Sequence, residues 1–300
     1  MPAKPGGDKA KKEAVRLQRL LAAQAKPTAT EEGERNALVI GIGPGLCSVE
    51  LDGSLRHVRC QIPVVPGDEV CILNDSVSGI SPRRSVLTRV DPQNERKDKV
   101  IAANVDHMVI VVAITNPPLR TGLIDRYMIA AVRGGIEPIL CINKLDLADD
   151  ASELEGYDLP VVRCSTKTGE GIQELRDKLA GRVAVLTGHS GVGKSSLLNA
   201  LTDAEKAKVG QLSEETGQGQ HTTTASRLYH LSNGARIIDT PGIREFGLGP
   251  VTQAELKAAF PEFTSERCRF QDCTHRQEPD CAVREAGGAR YEAWLRLLEL

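Results

Sequence analysis

The sequence has few aromatic residues and no long apolar segment. Its 300 residues include 4 Phe, 4 Tyr and 1 Trp, and no apolar run approaches the roughly 18 residues that a bilayer crossing demands. The chain start lacks the apolar stretch of a secretory signal, and the 8 Cys are scattered rather than grouped as in a secreted disulfide framework. We therefore expect a cytoplasmic protein without a membrane segment, large enough for two or three domains.

The sequence also lacks a marked excess of charge of either sign. With 38 Lys and Arg against 40 Asp and Glu, the net charge is −2, so the chain is not basic overall and any nucleic-acid surface must be local. Residues 1–35 form one basic patch, which we expect to be a flexible arm. Such an arm can lie along phosphates or be a solvated tail, and the sequence favours neither.

Residues 36–95 are predicted to form a small all-β barrel of the OB type. Short β-rich segments (LVIGI, LCSVEL, LRHVRC, EVCIL and SVLTRV) are separated by turn signals, of which Asp52-Gly53 predicts the tightest hairpin. Because this region contains no Phe, Tyr or Trp, contact with RNA would use arginines on phosphates rather than base stacking. A purely structural barrel is the alternative. The arginines are Arg56, Arg59, Arg83, Arg84 and Arg89.

Residues 96–250 are predicted to form a doubly wound α/β domain. The apolar runs HMVIVVAI, IEPILCINK, LPVVRC and RVAVLTG are typical of strands buried on both faces, and TGLIDRYMIAAVRG and GIQELRDKLAG have helical spacing. RLYHLSNGARIIDT predicts a hairpin. Residues 251–300 hold five of the nine aromatics, so we expect a helical C-terminal domain with a small core of its own.

A phosphate-binding loop is predicted after the strand RVAVLT. The segment Gly188–Ser195 fits GxxxxGK[ST] and precedes a helical segment, so backbone N–H groups and the helix N-terminus would face phosphate. Lys194 would reach the β and γ oxygens, and the Ser195 hydroxyl would ligate Mg²⁺. His189 is expected to be a surface group rather than a base. The expected contacts are Gly188, His189, Ser190, Gly191, Val192, Gly193, Lys194, Ser195 and Ser196.

Two further segments have the character of nucleotide-sensitive switches. Asp239-Thr240-Pro241-Gly242 closes the strand ARIID, so that Asp239 could hold a magnesium-bound water and the Gly242 N–H could meet the γ-phosphate. The polar run GQGQHTTT contains three threonines, one of which should complete the magnesium shell. Thr223 and Thr224 are favoured over Thr222, without a choice between them.

The base is predicted to be guanine. Asp146, in Asn143-Lys144-Leu145-Asp146, can accept hydrogen bonds from N1–H and the exocyclic amine of guanine, whereas adenine would leave the carboxylate facing an acceptor. Ser165, Thr166 and Lys167, after the next strand, can close over the base. The substrate is then GTP with Mg²⁺, and a P-loop kinase is disfavoured because the Asn143–Asp146 run selects guanine and no acceptor pocket is apparent.

The C-terminal segment contains four metal-ligand residues within fourteen positions. Three thiols and one imidazole suit closed tetrahedral Zn²⁺ in a structural role, with a redox pair or packed thiols as the alternative. The predicted ligands are Cys268, Cys273, His275 and Cys281. The other cysteines lie in apolar strand contexts and are expected in the core; they are Cys47, Cys60, Cys71, Cys141 and Cys164.

The order of the motifs is unusual, because in Ras-like GTPases the phosphate loop precedes the base-reading loops. This permuted order, together with GHSGVGKSSL, GQGQHTTT, IIDTPGIREF, the preceding barrel and the Cys/His spacing, resembles the ribosome small-subunit-dependent GTPase A family of bacteria. The resemblance spans essentially Asn36 to the C-terminus. It implies an OB-type barrel, a circularly permuted GTPase domain and a zinc domain that act on the 30S subunit and its 16S rRNA during late maturation.

Hydrolysis needs a residue that positions water, and Ile243 cannot do so where Ras-like enzymes have Gln. His221, at the mouth of the first switch, is the nearest polar candidate, and Lys194 is the other predicted catalytic residue. The resemblance implies a His at the place of His221; an exposed switch residue or an RNA contact is the alternative. We expect a slow GTPase, monomeric and stimulated by the 30S subunit, that is released after hydrolysis. The alternatives are a GTPase acting on another RNA or protein, and a GTP-dependent binding module with little hydrolysis.

Overall fold

The computed structural model describes residues 35–91, 94–202, 226–240, 248–263 and 267–299. Its strands are β1 (Arg35–Gly43), β2 (Leu46–Leu51), β3 (Ser54–Arg59), β4 (Glu69–Leu73), β5 (Ser76–Ile80), β6 (Val86–Asp91), β7 (Asn94–Ala103), β8 (His107–Ala113), β9 (Glu137–Asn143), β10 (Val161–Arg163), β11 (Val183–Thr187), β12 (Arg227–His230) and β13 (Arg236–Asp239).

The helices of the described residues are numbered in the same way. They are α1 (Thr121–Gly134), α2 (Ile172–Lys178), α3 (194–202), α4 (Gln253–Ala259), α5 (Ala282–Ala286) and α6 (Ala289–Leu298), with one 3₁₀ turn at Ser152–Leu154. In the described part of the chain, none of them is both long and apolar enough to cross a bilayer.

The first five strands close into a barrel in the order β1-β2-β3-β5-β4, with β4 returning to pair with β1. This is the five-stranded arrangement of an OB-type barrel. Asp52 and Gly53 join β2 to β3 with φ of 51° and 73°, as a tight type I′ hairpin turn requires, so the predicted hairpin is confirmed.

The fifth barrel strand was predicted wrongly. SVLTRV contributes β6, which pairs with β7 in a separate two-stranded sheet, whereas Ser76–Ile80 completes the barrel. Leu87 and Ala102 of the β6–β7 hairpin are fully buried in the same cluster as α1, so the hairpin packs on the α/β domain. Both segments have the apolar pattern of a strand, and that pattern does not specify which strand will be the partner.

The α/β domain contains five parallel strands in the order β10-β9-β8-β11-β13, followed by the antiparallel β12. The carboxyl ends of the parallel strands therefore share one edge of the sheet, which is where ligands bind in such folds. β12 also pairs with barrel strand β1 at Gly41 and Arg227, which makes one continuous 11-stranded sheet.

Helices cover both faces of this sheet. α2 and α3 pack on one face through Leu175, Leu197 and Leu201, and α1 packs on the other. The C-terminal segment was expected to have a core of its own, but Phe260 and Trp294 are fully buried in the cluster that includes α1, so this expectation was wrong. Aromatic content indicates burial and does not show which neighbour supplies the opposing surface.

One predicted RNA-facing arginine has a structural role instead. The Arg83 side chain is buried, and its Nε lies 2.7 Å from Asp68 Oδ1 in an ion pair that closes the loop before β4. Arg56 and Arg59 are exposed on β3, as a phosphate contact requires. Of the thiols expected in the core, Cys47, Cys141 and Cys164 are buried and the two others are half-buried; those are Cys60 and Cys71.

Candidate nucleotide site and metal centre

The predicted nucleotide-binding segments meet at the carboxyl edge of the sheet. The base loop (Asn143–Asp146) follows β9, the second base loop (Ser165–Lys167) follows β10, and the phosphate loop (Gly188–Ser195) follows β11. Asp239 is the last residue of β13. Since β9, β8 and β11 are adjacent parallel strands, the base loop and the phosphate loop are brought together even though Gly188 lies 45 positions after Asn143 in the sequence.

Asn143 joins three of these segments through one side chain. Its amide Nδ2 donates to the Val192 carbonyl of the phosphate loop at 2.9 Å, and its Oδ1 accepts from the Thr166 N–H at 3.3 Å. The side chain is completely buried, so these contacts also satisfy a polar group that would otherwise be costly. The base loops and the phosphate loop thus form one connected structure.

Asp146 lies beside the second base loop. Ser165 Oγ donates to Asp146 Oδ1 at 2.6 Å, and Lys167 Nζ lies 3.5 Å from Oδ2. The Ser165 hydrogen bond, aided by Lys167, lowers the pKa of Asp146. Asp146 is therefore ionised at neutral pH and presents an acceptor, the form that guanine N–H groups need.

The phosphate loop depends on glycines for its shape. Gly188 has φ of 137°, and a Cβ there would lie 2.2 Å from the Val111 carbonyl oxygen. Gly193 has φ of 97°, and a Cβ would lie 2.3 Å from the Asn143 amide nitrogen. These two positions let the loop approach β8 and the base loop more closely than any side chain would permit.

The cationic and hydroxyl groups of the phosphate loop lie at the start of α3. Lys194 Nζ donates to the carbonyl oxygens of Gly188 and His189, each at 2.8 Å, so the ammonium crosses the loop it belongs to. Ser195 and Ser196 are exposed in the first helical turn. His189 is half-buried, and its Nδ1 lies 2.8 Å from the Ser190 carbonyl oxygen, which agrees with a surface role.

Asp239 faces β12. In the β12–β13 pair it lies opposite Arg227, on the same face as the Tyr229–Ile237 pair. Burial raises the pKa of Tyr229, the Asp239 charge raises it further, and the Arg227 charge opposes both. Asp239 and Arg227 are thus cross-strand neighbours at the strand end where the magnesium-bound water was predicted.

The loop after β8 was not predicted from the sequence to belong to this site. Lys144 Nζ donates to the Asn116 carbonyl oxygen at 2.6 Å, and Pro117 Cδ lies 3.6 Å from the position of a Cβ on Gly191. This loop therefore touches both the base loop and the phosphate loop. Its only sequence signal was a position at the end of a buried parallel strand.

Tyr127 of α1 was also missed. Its side chain is buried beneath the phosphate loop, and burial raises the pKa of its hydroxyl, while the Gly188 N–H donates to the hydroxyl oxygen and opposes that rise. In the sequence Tyr127 was one residue of an apolar helical face, and its hydroxyl gave no sign of its partner.

The four predicted metal ligands are clustered in the C-terminal segment, with ligand atoms all within 4.8 Å of one another. Cys268 Sγ lies 3.6 Å from His275 Nδ1 and 3.9 Å from Cys281 Sγ, and Cys281 Sγ lies 3.4 Å from His275 Nδ1. A tetrahedral ion with Zn–S of about 2.3 Å and Zn–N of about 2.05 Å requires edges of about 3.8 and 3.5 Å. The donor set therefore fits Zn²⁺ in chemistry and in size.

The groups around these ligands hold them in place. Tyr291 Oη donates to the His275 carbonyl oxygen at 2.9 Å, and the Trp294 ring packs edge-on to the imidazole. Glu278 accepts N–H groups of the turn that carries His275. Although burial opposes it, the Thr274 hydroxyl and N–H, with the N–H of Arg276, lower the pKa of Glu278 to about 2.

Several predicted residues lie outside the described part of the chain. They are the water-positioning candidate His221, the switch threonines Thr222, Thr223 and Thr224, the glycine Gly242, and the basic arm of residues 1–34. Their roles stay predictions.

Comparisons with known proteins agree with this geometry. Residues 80–249 match the family model described as RsgA GTPase. A small ribosomal subunit biogenesis GTPase RsgA from Photorhabdus laumondii is 44% identical over 283 residues, covering 83% of this chain and 79% of that protein. The protein of the same name from Azotobacter vinelandii is 43% identical over 279 residues, covering 84% and 80%.

Two solved structures are similar to this chain in fold. The crystal structure of YjeQ from Thermotoga maritima superposes with a TM-score of 0.69 at 30% identity, covering 89% of this chain and 98% of that one. YloQ, described as a circularly permuted GTPase, superposes with a TM-score of 0.65 at 25% identity, covering 90% and 97%.

Proposed function

Because this chain belongs to the RsgA GTPase family, we propose that its strand-end loops form one GTP site and that hydrolysis there times its release from the maturing small ribosomal subunit. The protein is a GTP hydrolase that acts in small-subunit maturation. The observation that carries the site is the contact of Asn143 with both the phosphate loop and the second base loop.

At the base end of this site, Asp146 accepts hydrogen bonds from guanine N1–H and the exocyclic amine. Asn143 holds the loop, Lys144 lies along it, and Ser165, Thr166 and Lys167 close over the base. We expect Asp146→Asn to lower GTP affinity about 100-fold or more, because the new amide opposes donors with a donor. Xanthosine triphosphate, which has a carbonyl in place of the amine, should bind the variant better than GTP does. Competition binding of the two nucleotides to wild type and variant tests this, and an unchanged preference for GTP would contradict it.

At the phosphate end, the backbone N–H groups of the phosphate loop and the N-terminus of α3 receive the β- and γ-phosphates. Lys194 moves from its carbonyl partners to the phosphate oxygens and offsets the charge that develops on them. Bound Mg²⁺ neutralises phosphate charge. Ser195 supplies a hydroxyl ligand for it and Asp239 accepts from its water, with Thr223 or Thr224 and the Gly242 N–H as the predicted switch contacts.

His221 is the proposed residue that orients the attacking water, with an exposed switch side chain as the alternative. His221→Ala should then lower subunit-stimulated turnover far more than GTP affinity, since water placement matters only in the reaction. Phosphate release with and without small subunits, beside a nucleotide titration, separates these quantities. Equal effects on both would assign His221 to binding.

The Cys268, Cys273, His275 and Cys281 cluster is proposed to hold one structural Zn²⁺, since the four protein ligands leave no open position. Metal analysis of purified protein should give one zinc per chain, and Cys273→Ser should lower that content. Wild-type protein without bound metal would favour the packed-thiol alternative, and a bound metal other than zinc would contradict the assignment of zinc.

The partner is proposed to be the small subunit through its 16S rRNA, bound by a monomer in the cytoplasm. The exposed Arg56 and Arg59 of the barrel suit phosphate contacts. Turnover with purified small subunits should exceed turnover without them, and co-sedimentation should be stronger with a nonhydrolysable GTP analogue than with GDP. Equal turnover would contradict stimulation, and a similar response to tRNA or unrelated RNA would favour another RNA partner.

A further inference from the structure

Phe270 is exposed, whereas the other aromatic residues in the described part of the chain are buried or half-buried. Its residue surface is 40% accessible, and it is the one exposed aromatic residue within the described ranges. Trp294, Phe260 and Tyr127, by contrast, are all at most 1% exposed. With so few aromatics available, leaving one in solvent forgoes the burial free energy that such a ring supplies to a core.

Phe270 lies in a hydrogen-bonded loop, and its ring has a cationic neighbour. It lies between the predicted metal ligands Cys268 and Cys273, and the Cys273 N–H donates to the Phe270 carbonyl oxygen at 3.2 Å. The Arg269 guanidinium lies 5.6 Å from the centre of the ring. Arg267 and Arg276 are also exposed, and positions 267 to 276 contain these three arginines and one acidic residue, Asp272.

This combination has the chemistry of a base-stacking platform. An aromatic face with a guanidinium group beside it binds unpaired bases, because the ring stacks on any base while the cation receives a phosphate. Asp280 pairs with Arg269 at 3.0 Å, but both side chains are largely exposed, so the pair is weak and can exchange for a phosphate. The barrel, which has no aromatic residue from position 36 to 95, cannot provide such stacking.

We propose that Phe270 stacks on an unpaired base of the small-subunit RNA, with Arg269 beside it on the phosphate backbone. This inference rests on the proposed function for the identity of the RNA. It adds a second mode of contact to the protein: the barrel meets phosphates through arginines, and the C-terminal segment meets a base through a ring.

The test compares three substitutions at Phe270 in the full-length protein. Small-subunit affinity is measured at one fixed salt concentration with a nonhydrolysable GTP analogue. Loss of a stacking ring lowers affinity about 5- to 150-fold, so Phe270→Ala and Phe270→Leu should both bind that much more weakly. Phe270→Tyr, which keeps the ring, should bind within about twofold of wild type.

The leucine variant separates RNA from protein as the partner. An apolar pocket on a ribosomal protein would accept leucine, so wild-type affinity for Phe270→Leu would overturn base stacking in favour of a protein contact. Wild-type affinity for Phe270→Ala would overturn any contact. Zinc content and subunit-free GTP turnover, measured for every variant, should equal those of wild type, and a variant that loses metal is replaced in the comparison by Phe270→Met.

A second arm keeps the inference separate from the proposed function. The same variants are titrated with a short unstructured RNA oligonucleotide. If wild type fails to bind small subunits, the proposed function fails, and the oligonucleotide affinities still decide whether Phe270 stacks. Arg269→Gln should reduce the dependence of log affinity on log salt by about one contact, and the Phe270 variants should leave that slope unchanged. Equal salt dependence for Arg269→Gln and the Phe270 variants would contradict the proposal that Arg269 contacts a phosphate while Phe270 stacks on a base.

Discussion

The barrel and the C-terminal segment are attached to the α/β domain by different kinds of contact. The barrel is joined mainly through the backbone: β1 pairs with β12 at Gly41, the Ala103 N–H donates to the Pro66 carbonyl at 3.1 Å, and Asn104 Nδ2 donates to the Gly67 carbonyl at 2.8 Å. The C-terminal segment is joined to α1 through side chains. The first attachment therefore depends on backbone shape and the second on particular charges and rings.

Arg290 is the centre of the side-chain attachment. Its guanidinium lies 4.2 Å from the Tyr157 ring centre and 4.0 Å from that of Phe260, and it pairs with Asp125 of α1 and with Glu262. Asp125 is 1% exposed. Burial raises the pKa of Asp125, and the charge and hydrogen bond of Arg290 oppose that rise. We therefore expect side-chain substitutions to destabilise the attachment of the C-terminal segment more than that of the barrel, and substitutions that change backbone shape to destabilise the barrel attachment.

The largest effect is expected from Arg290→Met, which leaves the buried Asp125 without its cation. Breaking such a pair costs about 3–5 kcal/mol of unfolding free energy. Denaturant unfolding monitored by Trp294 fluorescence measures the change. The double variant with Asp125→Asn should recover part of the loss because no buried charge is left unpaired, and a double variant no more stable than the single one would show that ring contacts carry the attachment.

The second largest loss of stability is expected from Gly67→Ala, which tests the backbone attachment of the barrel. Gly67 has φ of 90°, and a Cβ would lie 2.1 Å from the Ala103 carbonyl oxygen. Strained conformation and overpacking together cost about 2–4 kcal/mol. Gly53→Ala is the matched control, since it has positive φ of 73° but open space around the Cβ position, and its smaller loss isolates the cost of the clash. Equal losses of stability in Gly67→Ala and Gly53→Ala would show that the close approach of Gly67 to Ala103 does not contribute.

Arg133→Met should cost less, about 1.5–3 kcal/mol, since it removes charged hydrogen bonds at a partly exposed site. Arg133 Nε lies 2.6 Å from Glu255 Oε1. Although burial opposes it, Arg133 holds the pKa of Glu255 below its usual value. The pair therefore stabilises fully above the unfolded carboxyl pKa, and this stability is lost as pH falls through the lower folded pKa. The variant should lose less stability on acidification than wild type, and parallel pH profiles would contradict this.

The smallest effect is expected from His230→Gln. His230 Nε2 lies 2.9 Å from Glu50 Oε2 and connects β12 to the barrel, but the two side chains are 42% and 35% exposed. Exposed pairs contribute about 0–1 kcal/mol. A loss above that range would show that side chains also matter in the barrel attachment.

Much of the candidate site follows from the sequence because its chemistry restricts residue types. Asn143, Asp146, Gly188 and Lys194 each occupy a position where another residue would change a hydrogen bond, a charge or a backbone conformation. The reverse motif order does not hide them, since parallel strands bring their carboxyl ends to one edge however the chain connects them. The clustering of Cys268, Cys273, His275 and Cys281 was equally predictable, because four potential metal donors within fourteen positions suit few other purposes.

The supporting contacts were not predictable in the same way. Tyr127 and Arg290 take their roles from partners far away in the chain, and an apolar helix face or a surface-like arginine gives no sign of them. Arg83 was expected on the surface for the same reason, since nothing local indicates that Asp68 lies opposite it. The β6 strand shows the same limit at the level of the sheet, where an apolar pattern specifies a buried face but not a neighbouring strand.

The contacts of the Asn143 side chain bear on whether this protein tolerates a change in chain connectivity. The Asn143 amide connects its own loop to two others, and these contacts do not depend on the order of the three loops along the chain. The structure of the site therefore does not depend on where the chain termini lie. Permutants that place the chain ends in the turn between β12 and β13, where Ser232 and Gly234 are exposed, should therefore keep the contacts of Asn143 with the phosphate loop and the second base loop. The peripheral segments differ in this respect, because Phe260 and Trp294 share buried surface with α1 and could not be exchanged without redesign of that surface.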